Sequence, residues 1–149
     1  MLAVAPFDDE VYVPDLARWG PARLSELAGR APFRVVPSSE VAGAMKRLGL
    51  IPRDLISPSR TIDLGKTVGA DAVLTGRITY ALRERADGRD ETSMMMGGSG
   101  ESRVDMDIRI LEVSTRMKLL EWQFSCQVGG LLQTAMDCVM RDVASRLIP

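Results

Sequence analysis

Three long alternating runs in the second half of the chain constrain its fold more than any other feature. In 71–85 the positions Ala72, Leu74, Gly76, Ile78, Tyr80 and Leu82 alternate with Thr75, Arg77, Thr79 and Arg83. In 103–113 Val104, Met106, Ile108 and Ile110 alternate with Asp105, Asp107 and Arg109. In 118–128 Leu120, Trp122, Phe124, Cys126 and Val128 alternate with Glu121, Gln123, Ser125 and Gln127. Successive strand residues point to opposite faces, so each run predicts a strand with one packed face and one more polar face. Three such runs in succession predict an antiparallel meander, with Ser114-Thr115-Arg116 as the turn between the second and third.

The first half has a different rhythm. Leu2 to Phe7 is a short apolar run that ends at the acidic turn Asp8-Asp9-Glu10, and it reads as a buried strand. Leu16, Gly20, Leu24, Leu27 and Ala28 recur at helical spacing over 15–29. Proline is tolerated in a first helical turn and penalised deeper in, so Pro21 is expected to open this helix, with 15–19 as a separate preceding turn. Phe33 to Val36 reads as a second strand. Ser38 or Ser39 caps the next helix, whose face is Val41, Ala44, Met45 and Leu48 and whose stop is Gly49. After a connector from Pro52 to Pro58, a third helix runs to about Val68 with Ile62 and Leu64 inward, and Gly69 terminates it. Leu132, Ala135, Met136, Val139, Val143 and Leu147 form the stripe of a closing helix over 131–147.

The order is therefore β-α-β-α-α-β-β-β-α. Strands joined through helices pair in parallel and those joined by short links pair antiparallel. The expected fold class is α/β (α+β mixed), a five-stranded mixed sheet with helices mainly on one face, built as one domain over 1–149.

Composition then removes most catalytic classes. The chain has no histidine, which excludes Ser-His-Asp and Cys-His catalysis and imidazole zinc ligation. Two cysteines are too few for a Cys₄ zinc site. Nineteen basic against 20 acidic residues give no basic field, so nucleic acid is not an expected partner. Gly97-Gly98-Ser99-Gly100 lacks the Lys-Ser/Thr of a phosphate loop, and Trp19 and Trp122 have no aromatic companions to make a stacking platform. No cofactor and no metal are expected. No stretch approaches the roughly 20 apolar residues of a membrane span, so any membrane association is expected to come from an anchor outside this chain.

Two carboxylate groupings remain as candidate chemistry. Asp8, Asp9 and Glu10 follow the first strand, where an α/β sheet can form a ligand crevice. Asp105 and Asp107 share a strand face, as acid/base pairs must, although Arg77, Arg83 and Arg109 on neighbouring positions suit plain cross-strand pairing. These residues define an alternative function, a small metal-dependent hydrolase or ligand-binding domain. Cys126 and Cys138 read first as buried free thiols, and in an exported chain they admit a disulfide.

One segment does not look self-folding. The loop 86–101 holds Asp87-Gly88, then Met94, Met95 and Met96, then the glycine run, and is expected to be a flexible hairpin tip. Methionine suits irregular apolar contacts, so Met94, Met95 and Met96 are the candidate partner-contact residues. Four arginines (Arg83, Arg85, Arg89, Arg103) face five acids (Glu84, Asp87, Asp90, Glu91, Glu101) around it, which favours a protein over a lipid surface.

A family resemblance rests on these pieces in order. Leu2-Ala3-Val4-Ala5-Pro6-Phe7 resembles a "VAVLPF" opening strand, and Phe33-Arg34-Val35-Val36 with Pro37-Ser38-Ser39-Glu40-Val41 resembles the second strand and helix start. Gly69-Ala70-Asp71-Ala72-Val73-Leu74-Thr75-Gly76-Arg77-Ile78 resembles a "GAD-x-V-L-x-G-x-I" strand. Asp107-Ile108-Arg109-Ile110-Leu111-Glu112-Val113 and Leu120-Glu121-Trp122 resemble the last two strands. Together they resemble the superfamily of the curli secretion channel (CsgG), the penicillin-binding-protein activator (LpoB) and the TolB amino-terminal domain. The resemblance implies a non-enzymatic periplasmic domain, often held at the outer membrane as a lipoprotein, that assembles with itself or binds an envelope protein; a cytoplasmic placement also stays open. Arg116 stands where the family's last turn commonly has glycine, and the loop 86–101 is short and polar for a membrane-spanning hairpin, which points away from a pore.

Overall fold

The computed structural model describes residues 1–29, 34–83 and 100–147. The tip methionines Met94, Met95 and Met96 lie outside these described residues. The chain forms β1 (Leu2–Val4), β2 (Asp8–Asp9), α1 (Pro14–Ala28), α2 (Ser38–Leu48), a 3-10 turn (Pro52–Ile56), α3 (Pro58–Val68), β3 (Ala72–Arg83), β4 (Glu101–Glu112), β5 (Lys118–Gly129) and α4 (Leu132–Leu147). The sheet is mixed and five-stranded, in the order β1-β3-β4-β5, with β2 also paired to β3. β1 and β2 run parallel to β3, while β3, β4 and β5 form the expected antiparallel meander.

The early strands differ in detail from the sequence reading. The expected strand at Phe33 to Val36 narrows, within the described residues, to a parallel bridge between Leu2 and Val35. Leu2 donates its N–H to Arg34 O and Val36 donates to Leu2 O, both at 2.8 Å. The acidic turn instead contributes a strand: Asp8 pairs with Arg77 and Asp9 with Ile78. Nor does Pro21 open a helix. α1 runs unbroken from Pro14, a proline in the tolerated first turn, and carries Pro21 buried in its interior. Tertiary burial of Leu16, Gly20, Pro21, Leu24 and Ala28 outweighs the lost backbone bond. α2 and α3 end as expected on left-handed glycines, Gly49 (φ 65°) and Gly69 (φ 64°).

The helices divide between the two faces rather than gathering on one. α1 and α4 cover the face made by Leu2, Val4, Leu74, Ile78, Val104, Met106, Ile108, Ile110 and Phe124. α2 and α3 cover the opposite face, but only over the β1 and β3 end, where Ala3, Ala5 and Val73 pack with Val41, Ala44, Met45, Ile62, Leu64 and Val113. This is why Val73, an odd position in its alternating run, is fully buried. α3 reaches the sheet through Gly65, where a Cβ would stand 2.4 Å from Val113 Cγ2 and 2.8 Å from Val73 Cγ2.

A bulge corrects one strand face. Ile78 pairs with Met106 but Tyr80 pairs with Asp105, so Thr79 is an extra residue on β3. Beyond it the faces exchange. Tyr80 and Leu82, expected inward, are 39% and 41% exposed, and Arg103 places its guanidinium carbon 5.3 Å from the Tyr80 ring centroid.

Candidate functional site

The odd positions of β4 and β5, and those of β3 before its bulge, make the polar face of the sheet, and the register aligns them in rows. Asp8 pairs with Arg77, Arg77 with Asp107, and Asp107 with Gln123. In the adjoining row Thr75 pairs with Arg109 and Arg109 with Glu121. The 3-10 turn lies over the inner end of these rows. Arg109 holds it there by donating to the carbonyl oxygens of Leu55 and, at 3.0 Å, Ile56. Thr61, fully buried, also donates to Leu55 O at 2.9 Å.

Between the turn and the sheet is a cavity of about 180 Å³. Pro52, Leu55 and Ile56 supply its apolar wall and the backbones of Gly76 and Ile108 part of its floor; Asp8, Arg77, Asp107, Arg109, Glu121 and Thr75 supply its polar side. Arg77 bridges Glu10 at 3.1 Å and Asp107 at 3.4 Å. Asp8 is only 8% exposed, so it is not the solvated carboxylate that an acidic turn suggests. Among the described residues its nearest cation is Arg53 Nε, 3.9 Å from Oδ1, and its buried Oδ2 has no hydrogen-bond partner. The buried Nε of Arg109 is likewise unpartnered, and burial pushes the Arg109 guanidinium below its usual pKa, partly offset by the charge of Glu121.

The two strand carboxylates do share a face, as predicted, but they hold different partners. Arg103 chelates Asp105 at 2.9 and 2.8 Å, and Ser125 donates to it at 2.6 Å. Hydrogen bonding from Arg103, more than its charge, keeps the Asp105 carboxyl below the ordinary range. Asp107 instead belongs to the Arg77 cluster. For Asp107 this is the cross-strand pairing anticipated beside the acid/base reading, whereas the arginine of Asp105 lies on its own strand. Among the described residues no three His, Cys, Asp or Glu side chains are grouped to hold a metal ion.

The outer border of the polar face is β5. Gly130 donates its N–H to Gly100 O, on the β4 side. Backbone groups alternate along a strand, so the N–H and C=O groups of Gln123, Ser125, Gln127 and Gly129 turn to the outside, where the sheet ends among the described residues. The even side chains Trp122, Phe124 and Cys126 turn to α4. There Arg146 stacks 4.8 Å from the Trp122 centroid, and Cys126 is bonded to Cys138 across a Cα–Cα distance of 6.1 Å. The free-thiol reading of these cysteines is thereby replaced. Both sit on facing elements, which a linear spacing of twelve does not reveal.

Some features carried no clear sequence signal. The Pro52-Arg53-Asp54 start of the 3-10 turn could have been found, since Asp54 accepts from the Ile51 N–H at 2.8 Å like a capping residue. Its clamp by Arg109, 53 residues on, could not. Tyr12, 85% exposed at φ 58°, lies with Ile51 and Pro52 along a second, shallow apolar groove.

No protein-family model matches the chain, and no curated protein matches it. Solved structures do share its fold. Lipoprotein GNA1162 from Neisseria meningitidis aligns over 97% of this chain and 97% of its own, with a TM-score of 0.63 at 21% identity. The PelC dodecamer from Paraburkholderia phytofirmans aligns over 99% and 86%, with a TM-score of 0.65 at 14% identity. LpoB from E. coli aligns over 87% of this chain and 57% of its own, with a TM-score of 0.61 at 18% identity. The resemblance read from the sequence thus holds at the level of the fold. Among the described residues no helix is long and apolar enough to cross a membrane.

Proposed function

We propose that this chain is a non-catalytic interaction or assembly domain of the bacterial envelope, the water-facing part of a lipoprotein-type protein, which joins further copies of itself or an envelope protein partner. The observation that carries the reading is the outer edge of β5. Among the described residues its twelve positions offer an unpaired outer ladder, beside a stretch of polar face that α2 and α3 do not reach, and such edges are either protected or used. The Cys126–Cys138 bond supports an oxidising compartment, because cytosolic thiols are kept reduced. Fold neighbours that include a lipoprotein and a dodecamer fit a role in envelope assembly. Met94, Met95 and Met96 remain the proposed adaptable contact at the tip of the β3–β4 hairpin.

The test compares Gln123→Pro with a triple serine replacement of Met94, Met95 and Met96. The Gln123 N–H faces outward, so proline there leaves the β4 ladder intact while blocking an added strand. Both variants should keep the circular-dichroism spectrum and lose self-association in sedimentation or capture of an envelope protein. A freely monomeric parent that captures nothing, or association unchanged in both variants, overturns the reading.

A further inference from the structure

We infer that the cavity between the 3-10 turn and the polar sheet face binds a small zwitterion, a molecule carrying an ammonium and a carboxylate group on a short aliphatic frame. With its ion-pair partners the lining balances charge: Asp8, Asp107, Glu121 and the neighbouring Glu10 stand against Arg77, Arg109 and the neighbouring Arg53 and Lys118. A ligand with net charge leaves one of these uncompensated in a partly desolvated cleft; a zwitterion does not.

Two groups in that lining are incompletely satisfied, and they are complementary. Asp8, more than nine-tenths buried, has an acceptor oxygen with no donor among the described residues. Arg109 spends its terminal nitrogens on the carbonyls of Leu55 and Ile56, and among the described residues no carboxylate is bonded to its guanidinium and its Nε has no acceptor. Unpartnered buried polar groups are costly, and the remaining charges are engaged, Arg77 with both Glu10 and Asp107. An ammonium therefore belongs at the Asp8 end and a carboxylate at the Arg109 end.

The register fixes the span. Asp8 and Arg109 are separated by two strand spacings and two residues along β4, which puts their backbones about 12 Å apart. Allowing for both side chains, about three to five methylenes would bridge the charged ends. Pro52, Leu55 and Ile56 give those methylenes an apolar wall, and the backbones of Gly76 and Ile108 lie between the charged ends.

The test titrates the full chain with 4-aminobutanoate, 5-aminopentanoate and 6-aminohexanoate, following backbone amide shifts by NMR. Pentylamine and pentanoate serve as the two half-molecules. At least one zwitterion should bind saturably and move the amides of 75–77 and 107–109. Each half-molecule should bind at least about tenfold more weakly. Asp8→Asn, nearly isosteric, should weaken the zwitterion by a similar factor without altering the rest of the spectrum. Arg109→Gln should do the same; because Arg109 also holds the 3-10 turn, Asp8→Asn decides the question if that variant does not fold. No saturable shift from any of the three, shifts confined to other residues, half-molecules binding as tightly as the zwitterion, or an unaffected Asp8→Asn each overturn the assignment.

Discussion

Phe7 is pressed against Gly76 so closely that a Cβ on that glycine would stand 2.6 Å from Phe7 Cδ1 and 2.8 Å from Cε1. On α1, a Cβ at Gly20 would stand 2.8 Å from Phe7 Cε2. The ring is therefore held between two bare backbones, and neither can accept a methyl without moving it. Gly76→Ala should destabilise the domain by about 1–3 kcal/mol, as overpacked cores do. Urea unfolding measures this; a midpoint equal to that of the parent would mean that the ring has room to move.

A stabilising change is expected at Arg116. Its φ of 61° is in the left-handed region, which costs a non-glycine residue about 1–2 kcal/mol. The side chain is exposed in the β4–β5 turn. Arg116→Gly should recover about 1 kcal/mol, less the extra freedom that glycine gives the unfolded chain. The thermal midpoint should rise by a few degrees, and a fall would show that the arginine is held in place by contacts worth more than the strain.

The disulfide should be worth about 2–3 kcal/mol for a loop this short, since it limits the unfolded chain. The Cys126→Ala, Cys138→Ala double variant should fold with that deficit, seen as a lower urea midpoint. Native protein should show no thiol reactive toward Ellman's reagent until it is reduced. Two thiols titrating without reductant would remove the bond and with it the argument for an oxidising compartment.

Asp137 on α4 clamps α1 by accepting from Arg23 Nε at 2.7 Å, while Arg141 pairs with its other oxygen at 2.7 Å. Burial alone would raise its pKa, but the hydrogen bonds and charges of Arg23 and Arg141 outweigh it and hold the carboxyl below its ordinary value. A group depressed in the folded state contributes stability above its unfolded pKa of about 4 and loses it as pH falls through the lower folded value. Asp137→Asn should therefore melt below the parent at neutral pH, with the gap closing in acid. A gap that stays constant down to about pH 2 would mean the loss is packing and not charge.

Much of this fold was legible because period and hydropathy agree over long runs. Val104, Met106, Ile108 and Ile110 are all buried as their alternation requires, and Gly49 and Gly69 end their helices. What was hidden depended on pairing. Tyr80 and Leu82 continue an apolar alternation through Thr79, and nothing in that string signals that β4 has one residue fewer to offer. The strand role of Asp8 arises only when Arg77 lies alongside it. Cys126 and Cys138 meet because α4 folds back over β5. In the site, Asp105 and Asp107 were correctly placed on one face, but the Arg109 clamp on a turn 53 residues away is a tertiary fact. The tip methionines fall outside the described residues.

The unequal helical cover has a further consequence. Val73 and Leu74 lie under helices on both faces, whereas among the described residues β5 is covered on one face and has no strand beyond it. Amides in the first region should exchange with deuterium only when the whole molecule opens, and those of β5 through smaller, local openings. The edge proposed as the partner surface is thus the part of the sheet on which the rest of the molecule depends least. A binding event can bend or extend that margin while the β1–β3 end keeps its shape, so capture need not be communicated to the core at all.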